Sequence, residues 1–212
     1  MNIIPSIIST DLDEIKDKLA RLDGLVAFAE LDVMDGVFVP NTSWRSPEDL
    51  KNMDGKIKLS AHLMVSNPET VVADWQNFVD RVVVHFESTD KMPDIVEKFH
   101  DKGNPCELGI ALELETPVEK IFQYLDKVKV AQLMSVANIG YYGEKFDERV
   151  IEKIKVLREK WPDVKIIVDG GIDPAIAMRL KEAGASAVVV GSYVWNVPVI
   201  EEAIRDFQSL SM

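Results

Sequence analysis

The chain has 212 residues, 47% of them hydrophobic and 28% charged, with a formal net charge of −12. Nucleic acid and anionic membrane would repel a chain this acidic, and its apolar content suits a folded core rather than a disordered chain. Cys106 is the one cysteine, which excludes an internal disulfide and a cysteine-based zinc site.

The start, Met1 to Ser6, lacks the positive charge of a secretory leader, and Pro5 breaks its short apolar run. No run approaches the length of a membrane span. The expectation is a soluble, cytoplasmic protein with no nucleic-acid or membrane partner. A homo-oligomer is left open.

Short apolar runs then alternate with amphipathic stretches to the end. The runs are Ile3 to Ile8, Ala27 to Met34, Ile57 to Met64, Val82 to Phe86, Leu108 to Leu112, Val128 to Met134, Val164 to Val168 and Ala187 to Val190. Each has strand length and is too apolar to keep one face wet, as strands of a parallel sheet are when helices cover it. Between them lie helix-like segments. Asp11 to Leu22 has apolar residues at helical spacing, with Thr10 as its expected N-cap. Pro68 to Phe78 follows Asn67, and Pro117 follows Thr116. Phe146 to Trp161 is charged on one side, Pro174 to Ala183 runs from Asp173 to Gly184, and Val197 to Phe207 closes the chain. Eight strand–helix units without a break in composition predict an α/β fold, one (β/α)8 TIM barrel over residues 1–212. An open doubly wound sheet would carry a glycine-rich first turn, where this chain has Ile8-Ser9-Thr10-Asp11.

Working residues of such barrels sit at the C-terminal ends of strands. Ser6 lies on the first strand, Glu30 and Asp32 on the second, His62 on the third, and His85 and Glu87 at the fourth. Asp169-Gly170-Gly171 ends the seventh, and Gly191-Ser192 the eighth. Glu30 and Asp32 are two apart and share a face. If that face is the interior, the pair needs a proton or a cation to be tolerated. With His62 and Asp169 approaching from other strands, the set describes a divalent metal site. Glycines after strands seven and eight let backbone N–H groups approach an anion, and barrels commonly hold phosphate there. The loop Asn138 to Gly143, with Gly140 and Gly143, follows strand six. Met34, Met64 and Met134 sit near strand ends and are candidates for a pocket floor beside the metal, although methionines are usually core filler.

These motifs resemble the ribulose-phosphate 3-epimerase family. Pro5 to Ser9 is similar to its first-strand motif, and Leu31-Asp32-Val33-Met34-Asp35-Gly36-Val37-Phe38-Val39-Pro40-Asn41 to its signature. Ala61 to Val65, Val168 to Ile172 and Val190 to Ser192 follow in the same order. The resemblance implies a barrel of the ribulose-phosphate-binding type and an epimerase that inverts carbon 3 of D-ribulose 5-phosphate to give D-xylulose 5-phosphate. It implies Asp32 and Asp169 as the acid/base pair and Glu30, Asp32, His62 and Asp169 as ligands of one divalent ion, which stabilises an enediolate. Ser6 and His62 would contact substrate or metal. The sugar phosphate would lie against Met34, Met64, Met134, Gly140, Gly143, Gly170, Gly171, Gly191 and Ser192.

Four departures stand out. Glu30 replaces the family's usual histidine, which makes the ligand set harder. Among manganese, iron(II), magnesium, zinc and cobalt, this shifts the expectation away from zinc. The strand-six loop holds Ile139 and Tyr142 where the family has a proline and a Gly-Phe-Gly-Gly run. Glu113 replaces an asparagine, and Thr42 to Pro47 lacks a glycine. The alternatives are another ketose phosphate, a lyase similar to hexulose-phosphate synthase, and a sugar-phosphate binder without turnover. The lyases place lysine where Asp32 stands.

Overall fold

The computed structural model describes residues 1–53, 55–101 and 105–209. Eight parallel strands close into a barrel in sequence order: β1 (Asn2–Ile7), β2 (Phe28–Met34), β3 (Lys58–Met64), β4 (Arg81–His85), β5 (Glu107–Leu112), β6 (Val130–Met134), β7 (Lys165–Asp169) and β8 (Ala187–Val190). β8 returns to pair with β1, with Ile4 opposite Val189. The expected barrel is what forms, with strand bounds within two residues of the apolar runs.

The helices are α1 (Leu12–Leu22), α2 (Val72–Trp75), α3 (Met92–Asp101), α4 (Arg149–Lys160), α5 (Pro174–Ala183), α6 (Ser192–Trp195) and α7 (Ile200–Gln208). The segment after β5 stays a 3₁₀ turn, Val118–Tyr124, and Pro68–Thr70 forms another before the single turn of α2. The expected helix from Pro68 to Phe78 is therefore broken. The N-cap of α1 is Asp11 and not Thr10: its carboxylate accepts the Asp13 N–H at 2.9 Å. A carboxylate there also meets the positive end of the helix dipole, which a threonine hydroxyl does less well. Asp173 caps α5 as expected, accepting the Ile176 N–H at 2.8 Å.

Alternation along each strand divides the core. Leu31, Val33, Leu63, Val84, Leu133, Val168 and Val188 face outward into one large apolar layer under the helices. The barrel interior is different. Its lower end is sealed by Ile4, Phe28, Val130, Ile167 and Ala187. Above that seal the inward positions turn polar: Ser6, Glu30, Asp32, Ser60, His62, His85 and Gln132 are all buried. A polar interior over an apolar plug, opening toward the strand C-termini, positions the site.

Candidate active site

The strand register brings the polar residues together. Asp32 pairs with His62 across β2 and β3, Glu30 with Ser60, and Glu30 with Ser6 across β1 and β2. Asp169 arrives at the end of β7, opposite Met134. His62 Nδ1 lies 3.3 Å from Asp32 Oδ1, 3.5 Å from Asp169 Oδ2 and 3.7 Å from Glu30 Oε1. One ligand atom from each of the four residues lies within 4.8 Å of every other. The sequence expectation that these four converge is met.

Polar partners hold the cluster in place. Ser60 donates to Glu30 Oε2 at 2.8 Å. Gln132 Nε2 donates to Glu30 Oε1 at 2.9 Å and to Asp169 Oδ2 at 3.3 Å, and it lies 3.3 Å from His62 Nδ1. On its other side His62 Nε2 meets His85 Nε2 at 2.8 Å, with the two rings stacked. His85 Nδ1 in turn lies 3.3 Å from Glu87 Oε2, and Glu87 Oε1 accepts the Glu113 N–H at 2.9 Å. The Asn-to-Glu departure at Glu113 thus adds a carboxylate beside His85 and Glu87, a second group of potential ligands.

Burial dominates the electrostatics. It pushes the Glu30 and Asp169 carboxyls above the usual range and Asp32 to about 7, and it holds His85 down to about 4. Neighbouring carboxylates raise Glu30 and Asp169 further, against the pull of His62. Asp32 Oδ1 and Gln132 Oε1 are buried with no hydrogen-bond partner. Unpartnered oxygens among clustered acids are costly to bury, and a cation offsets that cost. The donor set of three carboxylates and one imidazole suits a divalent ion.

A cleft lies above the cluster, bordered by Ser6, Met64, Met134, Gly140, Gly143, Gly170, Gly171, Gly191 and Ser192. Of the four clustered residues, only Asp32 and Asp169 reach it. Glu30 and His62 lie beneath its floor. Met34 also faces away: it is fully buried with Val39 and Met64, supporting the loop under Gly140. Gly171 is required by space, since a Cβ there would come within 2.5 Å of Phe146 N, and its φ is +65°. Ser135 pins the same loop by donating to the carbonyls of Asp169 and Gly170. The cleft itself is small, about 40 Å³, because Tyr142 lies against Gly191. Its hydroxyl accepts the Ile8 N–H at 2.8 Å and donates to the Ser6 carbonyl at 2.9 Å. A larger cavity of about 420 Å³ lies at the opposite mouth, beside Arg81 and Lys165, away from the acidic cluster.

Residues 2–195 match the model of the ribulose-phosphate 3 epimerase family. The chain belongs to the ribulose-phosphate 3-epimerase family. Within this epimerase family it is 32% identical to the cytoplasmic isoform of Oryza sativa subsp. japonica, over 95% of this chain and 90% of that one. It is 36% identical to the chloroplastic ribulose-5-phosphate-3-epimerase of Arabidopsis thaliana, over 98% and 76%. In fold, this epimerase is similar to 3-hexulose-6-phosphate synthase from Salmonella typhimurium, with a TM-score of 0.74, 13% identity and 99% and 98% coverage. That likeness is one of barrel architecture. No helix among the described residues of this epimerase is long and apolar enough to cross a membrane.

Gln132 was invisible to motif reading, as were Ser60 and Ser135. The one available signal was a lone carboxamide in the apolar strand Val130–Met134, two residues before Met134 and therefore on its face.

Proposed function

We propose that this chain inverts carbon 3 of D-ribulose 5-phosphate to give D-xylulose 5-phosphate, by two-base proton transfer between Asp32 and Asp169. The observation that carries this reading is that these two carboxylates, alone of the four clustered residues, face the cleft, and do so from strands across the barrel mouth. A carbon held between them presents one face to each. One carboxylate takes the proton beside the carbonyl, and the other returns a proton from the opposite side. Glu30, Asp32, His62 and Asp169 would hold one divalent ion. Such an ion supplies positive charge that stabilises the negative oxygens of the enediolate. Glu30 in place of an imidazole favours manganese, iron(II) or magnesium over zinc.

The phosphate would lie on the Gly170-Gly171 and Gly191-Ser192 backbone, which borders the cleft. Ser6 would contact the substrate beside Asp32. A second reading, a sugar-phosphate binder without turnover, draws on Tyr142 lying against Gly191. The deciding experiment follows deuterium incorporation at carbon 3 of ribulose 5-phosphate in D₂O with a panel of divalent metals. Exchange with xylulose 5-phosphate formation supports the epimerase. Tight sugar-phosphate binding without exchange under any metal supports the binder, and highest activity with zinc overturns the metal preference.

A further inference from the structure

Gln132 is the one polar side chain of β6, and it is fully buried. Its Nε2 lies 2.9 Å from Glu30 Oε1 and 3.3 Å from both Asp169 Oδ2 and His62 Nδ1. It therefore sits among three of the four groups that converge as potential ligands. Among these acids an amide –NH₂ is the part of the side chain that carries positive partial charge. It occupies the space where positive charge is most strongly attracted. Its other end, Oε1, is buried and has no hydrogen-bond partner.

A half-turn about the last side-chain bond exchanges Oε1 and Nε2 with little change in shape. Without a cation, that turn would direct lone pairs at two carboxylates, so the –NH₂ faces inward. With a divalent cation among the four ligands the preference reverses. The –NH₂ is then repelled, the oxygen is attracted, and the unpartnered Oε1 gains a partner. We propose that Gln132 is a further ligand of the ion, binding through Oε1 after its amide turns over. This rests on the metal-binding reading above. The chemistry of the site favours a neutral donor. Three ionised carboxylates already exceed the charge of a divalent ion, and a carboxamide oxygen adds coordination without more repulsion. Four oxygens and one nitrogen also move the ion from tetrahedral toward the higher coordination that manganese and magnesium prefer.

The test compares the wild-type chain with Gln132→Leu, Gln132→Met and Gln132→Glu, each stripped of metal and reloaded. Cobalt(II) reports coordination number through its visible absorption, and manganese affinity is measured by calorimetric titration. In Gln132→Leu and Gln132→Met the cobalt absorption should intensify as coordination falls by one. Their manganese Kd should rise about ten- to a hundredfold, the scale seen when a metal site loses a supporting group. Gln132→Glu keeps an oxygen and should retain the wild-type cobalt spectrum. Methionine nearly matches glutamine in volume, so the Met variant keeps the test open if leucine perturbs the barrel. Unchanged spectra and affinities in a folded Leu or Met variant would overturn the proposal, as would tighter manganese binding, which would make the amide a competitor of the ion. If the wild-type chain binds no divalent ion, the metal reading fails and this one with it. A wild type that binds beside an indifferent Gln132 variant refutes this proposal alone.

Discussion

His62 Nε2 and His85 Nε2 lie 2.8 Å apart inside the barrel, so one nitrogen carries a hydrogen and the other a lone pair. Burial keeps His85 neutral, down to about 4. If His85 Nδ1–H points to Glu87, its Nε2 accepts, and His62 Nε2 must donate. His62 Nδ1 is then left with its lone pair among Glu30, Asp32 and Asp169, the tautomer a metal ligand needs. His85→Leu should therefore weaken manganese binding about ten- to a hundredfold while the fold persists. Calorimetric titration of the metal-free variant measures it. An unchanged Kd would make the histidine pair a packing contact.

Tyr142 fills the space beside Gly191 that a phosphate would enter, and its hydroxyl is bonded to Ile8 N and Ser6 O. Ligand pockets usually enclose some hundreds of Å³, so a cleft of about 40 Å³ requires Tyr142 to leave before substrate seats. Tyr142→Phe removes both hydrogen bonds, each contributing ~1 kcal/mol. KM for the sugar phosphate should fall severalfold with kcat little changed. Steady-state kinetics decide this. A raised KM would mean that the hydroxyl binds substrate instead of blocking it.

The barrel was legible because β-branched runs and amphipathic stretches alternate without interruption, and strand ends name themselves by where apolar residues stop. Glu30, Asp32, His62 and Asp169 could be grouped because each interrupts or ends such a run. Gln132 interrupts one too, but a lone amide belongs to no ligand pattern, and its role depends on register with strands distant in sequence. The plugging by Tyr142 was equally hidden. It depends on a loop conformation that carries a side chain across the mouth to β1. The cap of α1 was misplaced by one residue because Ser9, Thr10 and Asp11 are all cap formers, and only geometry chooses among them.

The acidic cluster makes stability and metal binding pH-dependent. Asp32 has an ordinary value of 3.8 and is pushed to about 7, and Glu30 and Asp169 shift the same way. The folded chain thus holds protons that the unfolded chain releases. Their stabilising share is complete below the ordinary carboxylate range and is lost as pH rises above it, for Asp32 through about 7. His85 acts oppositely: its share is present above 6.5 and is lost as pH falls through about 4. Above 6.5 the share of His85 is complete and only the acids still change stability, so metal-free protein should lose Tm as pH rises from there through about 7. Manganese must displace those protons, so its Kd should fall over the same range, and the Tm gained on adding it should widen. Differential scanning calorimetry with EDTA or manganese at several pH values tests both. A gain in Tm that stays constant with pH would remove the acids from the metal site.

Asp32 and Asp169 face the cleft from strands across the barrel mouth, and that opposition has a kinetic signature. If each serves one face of carbon 3, one removes the proton of ribulose 5-phosphate and the other that of xylulose 5-phosphate. Asn in place of either keeps an oxygen near the site but cannot carry the proton. Net epimerisation should fall by about 10²–10⁴-fold in both Asp32→Asn and Asp169→Asn. Exchange with solvent should survive selectively, because the remaining base can still remove and return a proton on its own face. In D₂O one variant should therefore label ribulose 5-phosphate and the other xylulose 5-phosphate, each without forming much of the opposite epimer. Proton NMR of carbon 3 reads both quantities in one sample. If both variants label the same sugar, a group other than these two carboxylates removes its proton, and the assignment of one carboxylate to each face fails.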